Sequence, residues 1–98
     1  MTYGLIIRHE AEADIAQAAA SYETLSYQLG ARFLGAVRER VMRIVSAPEQ
    51  FPCILQDLRR ALVRDFPYAI YFYVDDEDVT VIACMHTKRD PRAWMDRM

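Results

Sequence analysis

Ninety-eight residues, 53% hydrophobic and 27% charged, describe one globular domain spanning 1–98, with room for a single core and too much apolar content for disorder. Twelve basic residues stand against fourteen acidic ones for a net charge of −2, and the halves divided near Gln56 are balanced (five basic and six acidic, then seven and eight). That excludes the chain-wide positive footprint on which nonspecific nucleic-acid binding relies.

The longest apolar run, Pro67 to Val74, is far short of the ~20 residues of a membrane helix. Leu5-Ile6-Ile7 is too brief for a secretory leader, so a soluble cytoplasmic protein with no membrane partner is expected. In that setting Cys53 and Cys84 read as buried thiols rather than a disulfide.

Tyr3 to Arg8 has the composition of a first strand. From Glu10 the period becomes helical: Ala11, Ile15, Ala18, Ala19 and Tyr22 recur on one face, between Glu12, Asp14, Gln17 and Glu23. Neither Arg8 nor His9 is a good N-cap, a deficit of about 1 kcal/mol. The alanine stripe invites close approach by a second helix, and Gly30 is predicted to end the first. That second helix carries Phe33, Leu34, Val37, Val41, Ile44 and Val45 on one face, with arginines on the other, and stops at Ala47-Pro48. The two form an αα-hairpin.

Glu49 to Asp57 reads as a loop, Arg60 to Arg64 as a short strand, and Tyr68–Val74 and Val79–Met85 as a hairpin closed by the acidic turn Asp75-Asp76-Glu77-Asp78. Along Tyr68–Val74, Ile70, Phe72 and Val74 share one face and Tyr71 and Tyr73 the other. Both faces are apolar, so both need cover: the helical hairpin on one, the C-terminal segment or a partner chain on the other. Asp90-Pro91 then starts a terminal helical turn. The expected architecture is α+β, in the order β-α-α-β-β-β plus that turn, with helices on a mostly antiparallel sheet.

His9-Glu10-Ala11-Glu12-Ala13 lacks the second histidine of a metalloprotease helix, no glycine-rich phosphate loop is present, and no metal or cofactor is expected. The remaining polar group is His86 with the basic residues after it, near Arg59, Arg60 and Arg64. A histidine among arginines suits acid–base work on a phosphodiester. Equally, His86 caps its strand while the arginines pair with Asp57, Asp65 and Asp90. Tyr71 and Tyr73 either stack on bases or a partner helix, or lie under the C-terminal turn. Trp94 reads chiefly as a packing anchor.

Taken together, Ala11-Glu12-Ala13-Asp14-Ile15, Gly30-Ala31-Arg32-Phe33, Pro48-Glu49-Gln50-Phe51-Pro52, Arg59-Arg60-Ala61-Leu62-Val63 with Phe66-Pro67-Tyr68-Ala69-Ile70-Tyr71-Phe72, and His86-Thr87-Lys88-Arg89-Asp90-Pro91-Arg92-Ala93-Trp94 resemble the ordered motifs of the RelE/ParE superfamily of bacterial type II toxins. The resemblance implies a toxin neutralised by a cognate antitoxin, whose C-terminal segment wraps the hairpin and sheet. Tyr22, Leu34, Val37, Val41, Tyr71 and Tyr73 are the residues it assigns to that contact. It also implies one of two targets. RelE-like members cut mRNA on the ribosome, for which His86, Arg60 and Arg89 would be the catalytic group. ParE-like members inhibit DNA gyrase, for which Arg89, Arg92, Trp94 and Arg97 form the contact patch. Lys88 is the single lysine, the net charge is acidic, and Trp94 stands where RelE-like proteins carry a tyrosine. The resemblance is therefore to the ParE-like branch, with the ribonuclease, or a relic that only binds antitoxin, as alternatives.

Overall fold

The computed structural model describes residues 2–98. The chain runs β1 (Gly4–Ile7), α1 (His9–Leu25), α2 (Leu29–Ser46), a 3₁₀ turn (Pro48–Gln50), β2 (Cys53–Leu55), β3 (Leu58–Leu62), β4 (Tyr68–Val74), β5 (Asp78–His86) and α3 (Arg92–Met95). The five strands form one sheet in the order β1-β5-β4-β3-β2. Among the described residues only the β1–β5 pair is parallel. This is the α+β layer anticipated, with one strand more: β2 lies inside the stretch expected to be a loop. Its three residues are too few to show alternation, and pairing with β3, Cys53 opposite Arg59 and Leu55 opposite Leu58, makes it a strand. β3 itself starts two residues earlier than predicted, because its register is set by β4 (Arg59 opposite Phe72, Leu62 opposite Ala69).

α1 begins at Arg8 without a side-chain cap, as its sequence implied. Glu10 and Glu12 in its first turn interact favourably with the helix dipole instead. Gly30 does not end this helix. α1 stops at Leu25, and the chain turns through Gln28, whose φ is 66°. Gly30 is buried inside the first turn of α2, where a Cβ would stand 2.5 Å from the Ala19 carbonyl oxygen. Absence of a side chain lets the two helices touch there. Glu23 completes the junction. Its carboxylate accepts from the backbone N–H of Gln28 and of Gly30, both at 3.0 Å, capping α2 from the neighbouring helix.

The hairpin buries Ala11, Ala18, Phe33, Val37, Val41 and Ile44 against Ile70, Phe72, Val79, Val81 and Cys84 of the sheet. Tyr22, Phe33, Phe66 and Tyr68 close its open end with ring centroids 5.0–5.9 Å apart. On the opposite face Leu58, Ala69, Tyr71, Ile82, Ala83 and Met85 form a smaller cluster beneath Ala93 and Trp94. The strict alternation of β5 fails at one point: Tyr71 opposes Ala83 while Phe72 opposes Val81, a bulge that puts Ile82 and Ala83 on the same side. The acidic turn forms as expected, with Asp75 Oδ1 accepting from the N–H of Glu77 and of Asp78. Cys84 is buried but Cys53 is exposed, contrary to expectation, because β2 is an edge strand. No helix among the described residues is long and apolar enough to cross a membrane.

Candidate functional site

Register separates the residues that the ribonuclease alternative needs together. Arg60 stands opposite Tyr71, and His86 stands opposite Tyr68. Tyr68 and Tyr71 are three positions apart on one strand, so they project from opposite faces. Arg60 therefore lies on the face of the small cluster and His86 on the helical side, edge-on to the Tyr68 ring with centroids 5.4 Å apart. His86 Nδ1 accepts from the Lys88 N–H at 3.1 Å, which makes it a turn cap. Arg89 is exposed beside Tyr68, Ser21 and Gln17 on the helical side. No group of three His, Cys, Asp or Glu side chains among the described residues converges to hold a metal.

The four patch residues divide into two pairs. Arg89 and Arg92 are exposed, with the Arg92 guanidinium 4.0 Å from Asp90. Asp90 Oδ1 accepts from the Arg92 N–H at 2.9 Å, so the predicted cap on α3 is real. Trp94 stacks on Tyr71, centroids 5.0 Å apart and planes inclined by 18°. The C-terminal segment thus supplies the cover that the second sheet face required. Burial under it raises the Tyr71 pKa, opposed in part by the neighbouring Arg60 guanidinium. Arg97 makes a two-toothed ion pair with Asp14 and donates to the Ile82 carbonyl.

The six residues assigned to the antitoxin also divide. Leu34, Val37 and Val41 meet on one side of α2; Leu34 is 43% exposed, while Val37 and Val41 are buried at 5% and 7%. Tyr22 belongs to the aromatic cluster at the end of the hairpin. Tyr71 is buried and Tyr73 half-buried on the opposite sheet face.

What joins Leu34, Val37 and Val41 is a groove that sequence reasoning did not see. Leu5 and Ile7 of β1, Ile15 of α1 and the α2 trio line one stretch of about 320 Å³. It continues over Ala16 and Ala19 into another of about 450 Å³. Glu12 stands on the α1 rim and Arg38 on the α2 rim. The outer edge of β1 bounds it, with Leu5 and Ile6 44% and 48% exposed. One signal was available: Leu5-Ile6-Ile7 is apolar without alternation, which an edge strand covered on one face does not need.

This is an α+β domain with a helical hairpin on one sheet face, an open apolar groove at the strand edge and an arginine-bearing tail folded over the other face. The chain belongs to the ParE toxin family of type II toxin–antitoxin systems, whose family model, described for the parDE system, matches residues 5–91. Among solved structures it is similar to a chain of the chromosomal ParDE toxin–antitoxin system from P. aeruginosa. The TM-score is 0.77 at 16% identity, over 87% of this chain and 96% of that one. No curated protein matches it in sequence.

Proposed function

We propose that this toxin acts in the cytoplasm on DNA gyrase, through the exposed Arg92 on the segment that carries Trp94, with Arg89 exposed toward the helical side, and that its cognate antitoxin silences it by occupying the β1–α1–α2 groove. Family membership over residues 5–91 is the observation that carries the reading. The separation of His86 from Arg60 supports gyrase over mRNA cleavage as the target. The groove offers an amphipathic helix an apolar floor and rims of opposite charge, with an unpaired strand edge alongside. Of the residues assigned to the antitoxin, Leu34, Val37 and Val41 keep that role here, joined by Leu5, Ile7 and Ile15.

The test is gyrase supercoiling in vitro, together with label incorporation after pulse expression in a bacterium. Inhibited supercoiling, and DNA synthesis that stalls before protein synthesis, are expected. Protein synthesis stopping first, with gyrase fully active, would overturn the target assignment.

A further inference from the structure

β5 outruns its parallel partner. β1 ends at Ile7, opposite Val81, whereas β5 continues to His86. Among the described residues no strand lies beside the β5 edge beyond Val81. Its backbone polar groups there need other partners, and two side chains supply them. The Cys84 N–H donates to Asp14 Oδ2 at 3.0 Å, and the Ile82 carbonyl accepts from Arg97 Nη1 at 3.1 Å. Asp14 and Arg97 are themselves joined, Nη1 to Oδ2 at 2.5 Å and Nη2 to Oδ1 at 3.0 Å. The pair is largely sheltered, with side chains 10% and 23% exposed. Arg8 Nη1 donates to the Arg97 carbonyl at 3.2 Å and ties the same residue to the start of α1.

This clasp lies only three residues beyond Trp94. α3 has four residues, too few to hold a position by its own hydrogen bonds. It is fixed at one end by the Trp94–Tyr71 stack and at the other by Arg97. We infer that Asp14, on α1 and outside the contact patch, is a positioning residue for that patch: through Arg97 it holds α3 against the sheet, so that Trp94 and Arg92 are presented in one arrangement. The inference rests on the reading that this segment meets the target. It gives the aspartate of the first helix a task in activity that is separate from antitoxin capture, because the groove opens on the Glu12 side of α1.

The experiment uses the full chain carrying Asp14→Asn, with Arg97→Gln as the second variant. Asparagine keeps the shape and an acceptor for the Cys84 N–H but loses the ion pair. Trp94 is the only tryptophan, so its emission and its quenching by acrylamide read the position of α3 directly. Both variants are expected to shift Trp94 emission to the red and raise its quenching. The concentration needed to inhibit gyrase should rise about tenfold, with the far-UV spectrum and binding to the cognate antitoxin unchanged. If Trp94 stays as shielded as in the wild type in either folded variant, the positioning role of Asp14 is wrong. If Trp94 is freed while gyrase inhibition stays intact in both variants, the role in presentation is likewise overturned. Trp94→Ala and Arg92→Ala separate the underlying reading: full inhibition by both sinks the contact patch itself, whatever Asp14 does to α3.

Discussion

Arg97 grips Asp14 across 83 positions of sequence, Nη1 donating to Oδ2 and Nη2 to Oδ1. The contact ties the C-terminal segment to the first helix around the end of β1, and it raises the Arg97 pKa through the carboxylate hydrogen bond. A residue whose arginine character suggested a free contact with a target is thereby part of the fold.

Arg97→Ala should be among the more damaging substitutions outside the apolar core. It leaves the Asp14 carboxylate, 10% exposed, with the Cys84 N–H as its remaining partner. A loss of about 2–4 kcal/mol is expected for a sheltered charge stripped of its counterion. Urea unfolding with an unchanged midpoint would contradict it.

Two glycines in one helix should respond in opposite senses. Gly30→Ala drives a methyl to 2.5 Å from the Ala19 carbonyl oxygen, a backbone atom that cannot step aside without separating the helices. A destabilisation of about 1–3 kcal/mol follows from overpacking. Gly35 has nothing within 4 Å of the corresponding site, so Gly35→Ala gains helix propensity alone and should stabilise by about 0.5–1 kcal/mol. Thermal melts of the two variants moving in the same direction would refute the account of Gly30.

The two thiols should differ in reactivity, and the buried one links stability to pH. Cys53 is exposed, whereas burial, aided by the Asp14 charge, pushes the Cys84 pKa up to about 12. A thiol reagent at pH 8 should modify Cys53 in the native protein and reach Cys84 only on unfolding. The sign for stability follows from the raised value. The unfolded thiol releases its proton near the ordinary value of 9.0 while the folded one keeps it. Stability is therefore intact below pH 9, falls as pH rises toward 12, and receives no further change from this group beyond that. Tyr22, Tyr68 and Tyr71, also raised by burial, act in the same direction at the upper end of the range. Cys84→Ser removes the thiol's share, and a variant with the same alkaline slope as the wild type would show that Cys84 does not contribute.

Groove substitutions should separate shape from charge. Leu34→Glu puts a carboxylate where an apolar anchor sits, and antitoxin affinity is expected to fall about 10–100-fold, the loss of one buried leucine contact. Arg38→Glu should weaken binding by about tenfold at low salt and less at high salt, since the rim is exposed to counterions. Titrations of the cognate antitoxin at two ionic strengths distinguish the effects. Equal losses for Arg38→Glu at both would mean that the rim acts through shape.

Much of this protein is written locally. The helical hairpin, the proline that stops α2, the acidic turn at Asp75, the cap by Asp90 and the opposed faces of β4 all follow from neighbouring residues, because a period of 3.6 or 2 and the chemistry of a cap are short-range properties. The order of motifs from Ala11 to Trp94 was enough to place the chain beside its toxin relatives. Other features depend on partners far away along the chain. β2 becomes a strand by pairing with β3, and Gly30 spaces two helices instead of ending one. Arg60 in the middle of β3 and His86 at the end of β5, both polar, fall on opposite faces by the parity of a register. The groove exists because β1 lies beside β5 and under the hairpin, which brings Leu5, Ile15 and Leu34 together. Which apolar residues are covered, and which arginine is free, is settled only when those long-range pairings close, since burial and ion pairing belong to the packed molecule and not to any stretch of sequence.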